Sequence, residues 1–233
     1  MVHELKAGAA HGKRGENNRK TSNMTMGEES PVSSLVLPVL IRPILSKLER
    51  RDVAASQTLR AALSKAEMAH PGFTYDLVLG IMQRGEFSVN LNETVLRLQG
   101  AATDADMVEY RLNRSEDAFQ ELNKKSAALK KILCRIPDEI TDRQTFLETI
   151  KEIASAIKKL LDAVNEVTGF IPGSEGKQQL EQRKRDFVRY SKRFSNTLKE
   201  FFREGEPNAV FVSSLYLIHQ TNKIVVCVKN KCE

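Results

Sequence analysis

Residues 142–203 read DRQTFLETIKEIASAIKKLLDAVNEVTGFIPGSEGKQQLEQRKRDFVRYSKRFSNTLKEFFR. In the first half Phe146, Ile150, Ile153, Ile157, Leu160, Leu161 and Val164 recur at steps of three and four, which lays one apolar stripe along an α-helix. Leu180, Phe187, Tyr190, Phe194, Leu198 and Phe201 do the same in the second half. The glycine-rich turn from Thr168 to Gly176 makes the two helices antiparallel neighbours.

Beside each core stripe runs a narrower line, half apolar and half cationic: Leu147, Lys151, Ala154, Lys158 and Leu161 on the first helix, Val188, Lys192, Ser195, Lys199 and Phe202 on the second. Same-handed flanks of antiparallel helices either converge on the groove between them or both point away. Convergence would give a shallow groove with small residues, Ala154, Ser155 and Ser195, on its floor and Lys151, Lys158, Lys192 and Lys199 along its walls. Such a groove suits an amphipathic helix with leucines on one face and acids at its edges.

Outward from this hairpin, the 233 residues leave room for two modest domains. A formal charge of +6 and a pI near 9.2 favour acidic partners. The most apolar run, Val32 to Leu45, is broken by Pro38, Arg42 and Pro43, and the first thirty residues lack the apolar core of a signal peptide, so a cytosolic location is expected. Cys134, Cys227 and Cys232 are an odd set for a disulfide framework and are read as reduced thiols. The sequons at Asn23, Asn92 and Asn113 then carry no meaning.

Residues 1–31 are poor in apolar periodicity and read as a disordered tail, its basic patch Lys13, Arg14, Arg19 and Lys20 a solvated one. Residues 32–99 read as short helices. The first, Ser33 to Arg51, turns Leu35, Val39 or Leu40, Ile44, Leu45 and Leu48 inward with proline kinks. The second is capped by Asp52 and buries Leu59, Ala62, Leu63 and Ala66; the third is capped by Thr74 and carries Leu77, Val78, Ile81 and Met82 as far as Gly85. A short helix with Leu91, Val95, Leu96 and Leu98 follows. So small a unit cannot cover its own apolar stripes, which predicts a homodimer or heterodimer, with packing on the C-terminal domain as the alternative.

Residues 100–114 read as a linker with a turn or two of helix around Asp104 to Leu112. The second domain, 115–233, opens at the N-cap Ser115 and continues through a helix with Phe119, Leu122, Leu129, Ile132 and Leu133 that stops at Pro137. The central hairpin and a last helix from Asn208 to Lys229 complete an antiparallel four-helix bundle. The expected fold class is all α.

No glycine loop cradles phosphate, no cysteine or histidine spacing suits a metal, and no nucleophile has a base beside it. Neither catalysis nor a cofactor is expected. Lys130, Lys131 and Arg135 beside Cys134 suggest a lowered thiol pKa, and His219 reads as a satisfied or half-exposed residue. The run Arg183, Lys184, Arg185, Arg189, Lys192 and Arg193 is dense enough for a membrane surface, but too few exposed aromatics accompany it for nucleic acid.

The segments Ile136-Pro-Asp-Glu-Ile-Thr-Asp-Arg, Thr149-Ile-Lys-Glu-Ile-Ala-Ser-Ala-Ile-Lys-Lys-Leu-Leu-Asp, Phe187-Val-Arg-Tyr-Ser-Lys-Arg-Phe-Ser-Asn-Thr-Leu-Lys and Leu217-Ile-His-Gln-Thr-Asn, with Ala55-Ser-Gln-Thr-Leu-Arg-Ala-Ala, the His70-Pro-Gly turn and Val89-Asn-Leu-Asn-Glu-Thr upstream, resemble the programmed cell death protein 10, or cerebral cavernous malformation 3, family. The likeness spans roughly Leu37 to Lys223. It departs at the long N-terminal tail, at Pro172 to Gly176, at Cys227 and Cys232, and at Gly80 inside a helix.

The resemblance implies a non-catalytic adaptor with an N-terminal helical dimerisation domain and a C-terminal bundle similar to the focal-adhesion-targeting domain. It implies pairing with germinal-centre kinase III kinases of the Ste20 type, or a homodimer when no kinase is present, through positions matching Leu59, Ala62, Ile81 and Met82. It implies that the bundle takes leucine-aspartate-type helices, as of paxillin and the partner cavernous malformation adaptor, and engages striatin, with Lys151, Lys158, Lys192 and Lys199 as the matching lysines. Roles linking kinases to phosphatase complexes, adhesion, vascular integrity and apoptosis, with Golgi and peripheral plasma-membrane association, follow from the resemblance alone. The second reading is a peripheral module binding phosphoinositides through its basic face.

Overall fold

The computed structural model describes residues 31–101 and 108–233, and among these all regular structure is helical. The expected tail, apart from Pro31, and the stretch Asp104 to Met107 of the expected linker helix lie outside them.

The chain opens with α1 (Pro31–Val36), continues through a π-helical segment, Leu37–Ile41, and runs into α2 (Arg42–Glu49). Pro38 and Pro43 each lack a backbone donor. The helix absorbs that loss by widening into a π turn, the form taken here by the expected kink. α3 (Val53–Ala69) is capped by Asp52, whose carboxylate accepts from Ala55 N at 2.9 Å.

α4 (Phe73–Arg84) starts differently from expectation. Its cap residue is Gly72, at φ 93°, and Thr74 sits inside the first turn. The capping acceptor is Glu67 of the preceding helix, which takes hydrogen bonds from Gly72 N (2.7 Å), Thr74 N (2.9 Å) and Thr74 Oγ1 (2.8 Å). Thr74 is fully buried and therefore needs these partners.

After α5 (Leu91–Ala101) and a single 3-10 turn, Val108–Tyr110, come α6 (Asp117–Leu133), the one-turn α7 (Ile136–Glu139), α8 (Arg143–Thr168), α9 (Gly173–Glu204) and α10 (Asn208–Cys232). Glu116 rather than Ser115 occupies the cap of α6, and Pro137 falls in the first turn of α7 instead of ending α6. Asp142 caps α8 by accepting from Gln144 N and Thr145 N, and Gly205 closes α9 at φ 76°, a conformation that favours glycine.

The four long helices form a bundle in which α8 lies along α6 and α9 along α10. α10 is its axis. It also receives α1 and α5, so apolar residues from Val210 to Val228 are buried around the helix, as are Ser213, Ser214, His219, Gln220, Thr221 and Asn222. The apolar stripes alone predict a core without polar groups. The structure corrects it: Ser214 Oγ donates to Val210 O and Thr221 Oγ1 to Leu217 O, which lets hydroxyls sit inside a packed helix.

α2 packs on α3 and α4 leans on α1 and α3, which leaves one side of this N-terminal unit uncovered. Ile44, Leu59 and Ala62, expected inside, are exposed, while Leu63 and Ala66 are half-buried. These helices are amphipathic, but a single chain has too little mass here to cover them.

Candidate functional site

Two surfaces stand out. On the N-terminal unit α4 presents Phe73, Leu77 and Ile81 at intervals of four, one continuous stripe on a helix. Nine of the twelve exposed large apolar side chains among the described residues lie between Ile44 and Val89, so the apolar excess is concentrated in this unit. Leu59 is 43 % exposed and Ile81 57 %. Ala62 is also exposed, whereas Met82 is half-buried against the core. Single exposed leucines are ordinary on proteins; a stripe of this extent on neighbouring helices marks an interaction face.

The second surface lies between α8 and α9, which approach each other less closely than α6 approaches α8 or α9 approaches α10. The gap is a shallow groove of about 270 Å³. Ile150, Ala154, Ile157 and Leu161 line it from α8, and Val188, Ser191, Lys192, Ser195 and Leu198 from α9. Ser191 Oγ donates to Phe187 O and Ser195 Oγ to Ser191 O, so both hydroxyls are satisfied within the helix and the wall stays low without demanding a polar ligand atom.

The structure thus brings Ala154, Lys192 and Ser195 together in this groove. Lys151, Lys158 and Lys199 are exposed beside it rather than lining it. Helix geometry puts Lys151 and Lys158 within about 60° of Ala154 around the axis of α8, and Lys199 equally near Ser195 on α9. Ser155 is exposed and lies outside the groove, about 100° round the helix from Ala154. At one end of the hairpin Leu147 and Phe202 are exposed, with the Phe202 ring 5.9 Å from that of Phe146.

The cationic run of α9 is partly neutralised. Lys184 pairs with Glu181 at 2.7 Å and Arg189 with Asp186 at 3.5 Å. Among the described residues none of the four rail lysines makes an ion pair, which leaves them for a partner.

Two expectations on reactive groups are overturned. Burial pushes the Cys134 thiol up to about 12, against a smaller opposing influence of Lys130, so it is an inert core thiol and not an activated one. His219 is neither half-exposed nor fully satisfied: it is 8 % exposed, Ser34 Oγ lies 2.9 Å from its Nδ1, and its Nε2 has no partner among the described residues. All three cysteines are free. Among the described residues no group of three or more His, Cys, Asp or Glu is placed to hold a metal, and no helix is long and apolar enough to cross a membrane.

An unpartnered apolar helix pair and a lysine-flanked groove on an all-helical body define a protein-binding scaffold. Residues 29–88 match the family model described as programmed cell death protein 10, dimerisation domain, and residues 89–181 match programmed cell death protein 10, C-terminal. The programmed cell death protein 10 homolog of Caenorhabditis elegans is 39 % identical over 213 residues, covering 88 % of this chain and 98 % of the relative. The chain belongs to the programmed cell death protein 10 family, a family of scaffolds with a dimerisation domain.

Proposed function

We propose that this protein is a non-catalytic adaptor with two docking surfaces that work by different physics. The N-terminal face, with Leu59, Ala62, Ile81 and Met82, pairs with the C-terminal tail of a germinal-centre kinase III kinase, or with a second copy when no kinase is present. The bundle groove takes an acidic, leucine-rich helix of the leucine-aspartate type, as in paxillin or the cavernous malformation adaptor, and the bundle engages striatin. The adaptor acts in the cytoplasm, at the Golgi and beneath the plasma membrane.

The observation that carries this reading is the groove of about 270 Å³ with Ala154 and Ser195 in it and four lysines around it. Each lysine facing an acid contributes about 0.2 to 1 kcal/mol, so four shift affinity by roughly five-fold to a thousand-fold and salt weakens binding.

Titration of an acidic, leucine-rich helical peptide into the full chain tests it, beside a variant with Lys151, Lys158, Lys192 and Lys199 all changed to Glu. The expected result is salt-sensitive binding that the folded variant lacks. Equal binding by both proteins, or none by either, would remove the groove from the function.

A further inference from the structure

A second cleft, of about 500 Å³, lies between α9 and α10, with Ser34 of α1 and Tyr110 of the 3-10 turn among its walls. It occupies a different face of α9 from the lysine groove. None of its lining residues is acidic, and three are cationic: Arg183, Lys223 and Lys231. No ion pair occupies these three among the described residues; the acids nearest on α9, Glu181 and Asp186, are engaged by Lys184, Arg185 and Arg189. The three charges bear on one interior, since Lys223 and Arg183 both act on His219, and Arg183 and Lys231 on Cys227.

The cleft also has buried neutral donors. His219 and Asn222, 8 % and 3 % exposed, both line it. Lys130 Nζ donates to Asn222 Oδ1 at 3.1 Å, which leaves the amide Nδ2 as a donor with no partner among the described residues. Ser34 Oγ lies 2.9 Å from His219 Nδ1, and in the tautomer that carries the ring proton on Nε2 this second unpartnered atom is a donor as well. Burial first, then Lys223 and Arg183, hold this imidazole down to about 4, so the ring is neutral at pH 7. Buried polar atoms ordinarily have partners, and two such atoms in one basic cleft call for a ligand rich in acceptors.

We infer that this cleft binds a small phosphate-bearing anion of the diphosphate class, with Arg183, Lys223 and Lys231 holding its charge and Asn222 and His219 donating from within. A diphosphate offers the several acceptor oxygens and the charge that these groups need, where one carboxylate would leave most of them unmatched. A volume of about 500 Å³ is also within the range of small-ligand sites.

The test is calorimetric titration of inorganic pyrophosphate into the full chain. Wild type is set beside Arg183→Ala/Lys223→Ala and, as a control on the other surface, Lys158→Ala/Lys192→Ala, with folding checked by thermal unfolding. A second arm uses phosphatidylcholine vesicles doped with phosphatidic acid, to separate a free phosphate from one carried on a lipid. Saturable one-to-one binding is expected, weakened at least about tenfold by the first pair and unchanged by the second. Bound pyrophosphate also slows alkylation of Cys227, which lines the cleft. Binding to vesicles alone, lost in the first pair, would place the same phosphate on a lipid. No binding in either arm, or binding equal in all three proteins, would overturn the inference.

Discussion

Ser34 on the first helix and His219 on the last meet across 185 positions of sequence, with Oγ 2.9 Å from Nδ1. That contact ties the N-terminal unit to the axis of the bundle at an imidazole that is 8 % exposed.

The burial of His219, with Lys223 and Arg183 nearby, makes stability depend on pH. Burial lowers the folded-state pKa of His219 from 6.5 to about 4, so the unfolded chain binds the extra proton first. The resulting contribution is complete above pH 6.5 and is lost as pH falls towards 4, by at most about 3 kcal/mol. Urea unfolding of wild type and His219→Gln at pH 7, 5.5 and 4 checks this. The variant should show the shallower decline, and parallel declines would exclude His219 as the cause.

Leu59→Asp should leave the fold of one chain nearly intact, within about 0.5 kcal/mol, because Leu59 is exposed. The same charge buried at a dimer face would be desolvated and unpaired. Sedimentation with and without a kinase tail should therefore show a folded protein that no longer pairs. Persistent pairing would move the interface elsewhere.

Ala154→Trp fills the groove with a bulky ring. Ala154 is exposed, so stability should change little while affinity for an acidic helical peptide falls at least about tenfold. Vesicle co-sedimentation by the same variant should be unchanged; joint loss would favour a lipid-facing surface.

Gly80 sits inside α4, and a Cβ there would meet nothing within 4 Å. Gly80→Ala should stabilise the protein by about 0.5 to 1 kcal/mol in chemical denaturation.

Glu67→Ala removes the acceptor shared by Gly72 N, Thr74 N and Thr74 Oγ1. Thr74 is buried, so the loss should cost about 1 to 3 kcal/mol, with Glu67→Gln milder. Hydrogen exchange at Thr74 should rise in step.

Long periodic stripes were legible in the sequence. Phe146, Ile153, Leu160 and Val164 are buried where the 3.6-residue period puts them, as are Leu180, Phe187, Tyr190, Phe194 and Leu198. The caps at Asp52 and Asp142 were legible too, since each needs only its own carboxylate and the backbone just after it. The Glu67 cap was not, because its acceptor comes from the helix before. Ile44 and Leu59 misled because periodicity marks a helix face as apolar without saying whether this chain supplies the cover. The cleft at His219 could not be read either: Ser34, Arg183 and Asn222 are distant in sequence, and a helix covered on every side has no polar stripe to announce it. The run of five polar residues from His219 to Lys223, between apolar stretches of the last helix, was the available signal.

The placement of α10 also bears on how the protein is made. α1, α5, α6 and α9 all pack on α10, the last helix described. During synthesis each earlier helix leaves the ribosome before the surface it will bury against exists, and the longest loop closure comes at the end. A stop codon just before Asn208 would therefore yield a core that never closes, with the apolar faces of four helices left for chaperones and proteases to find.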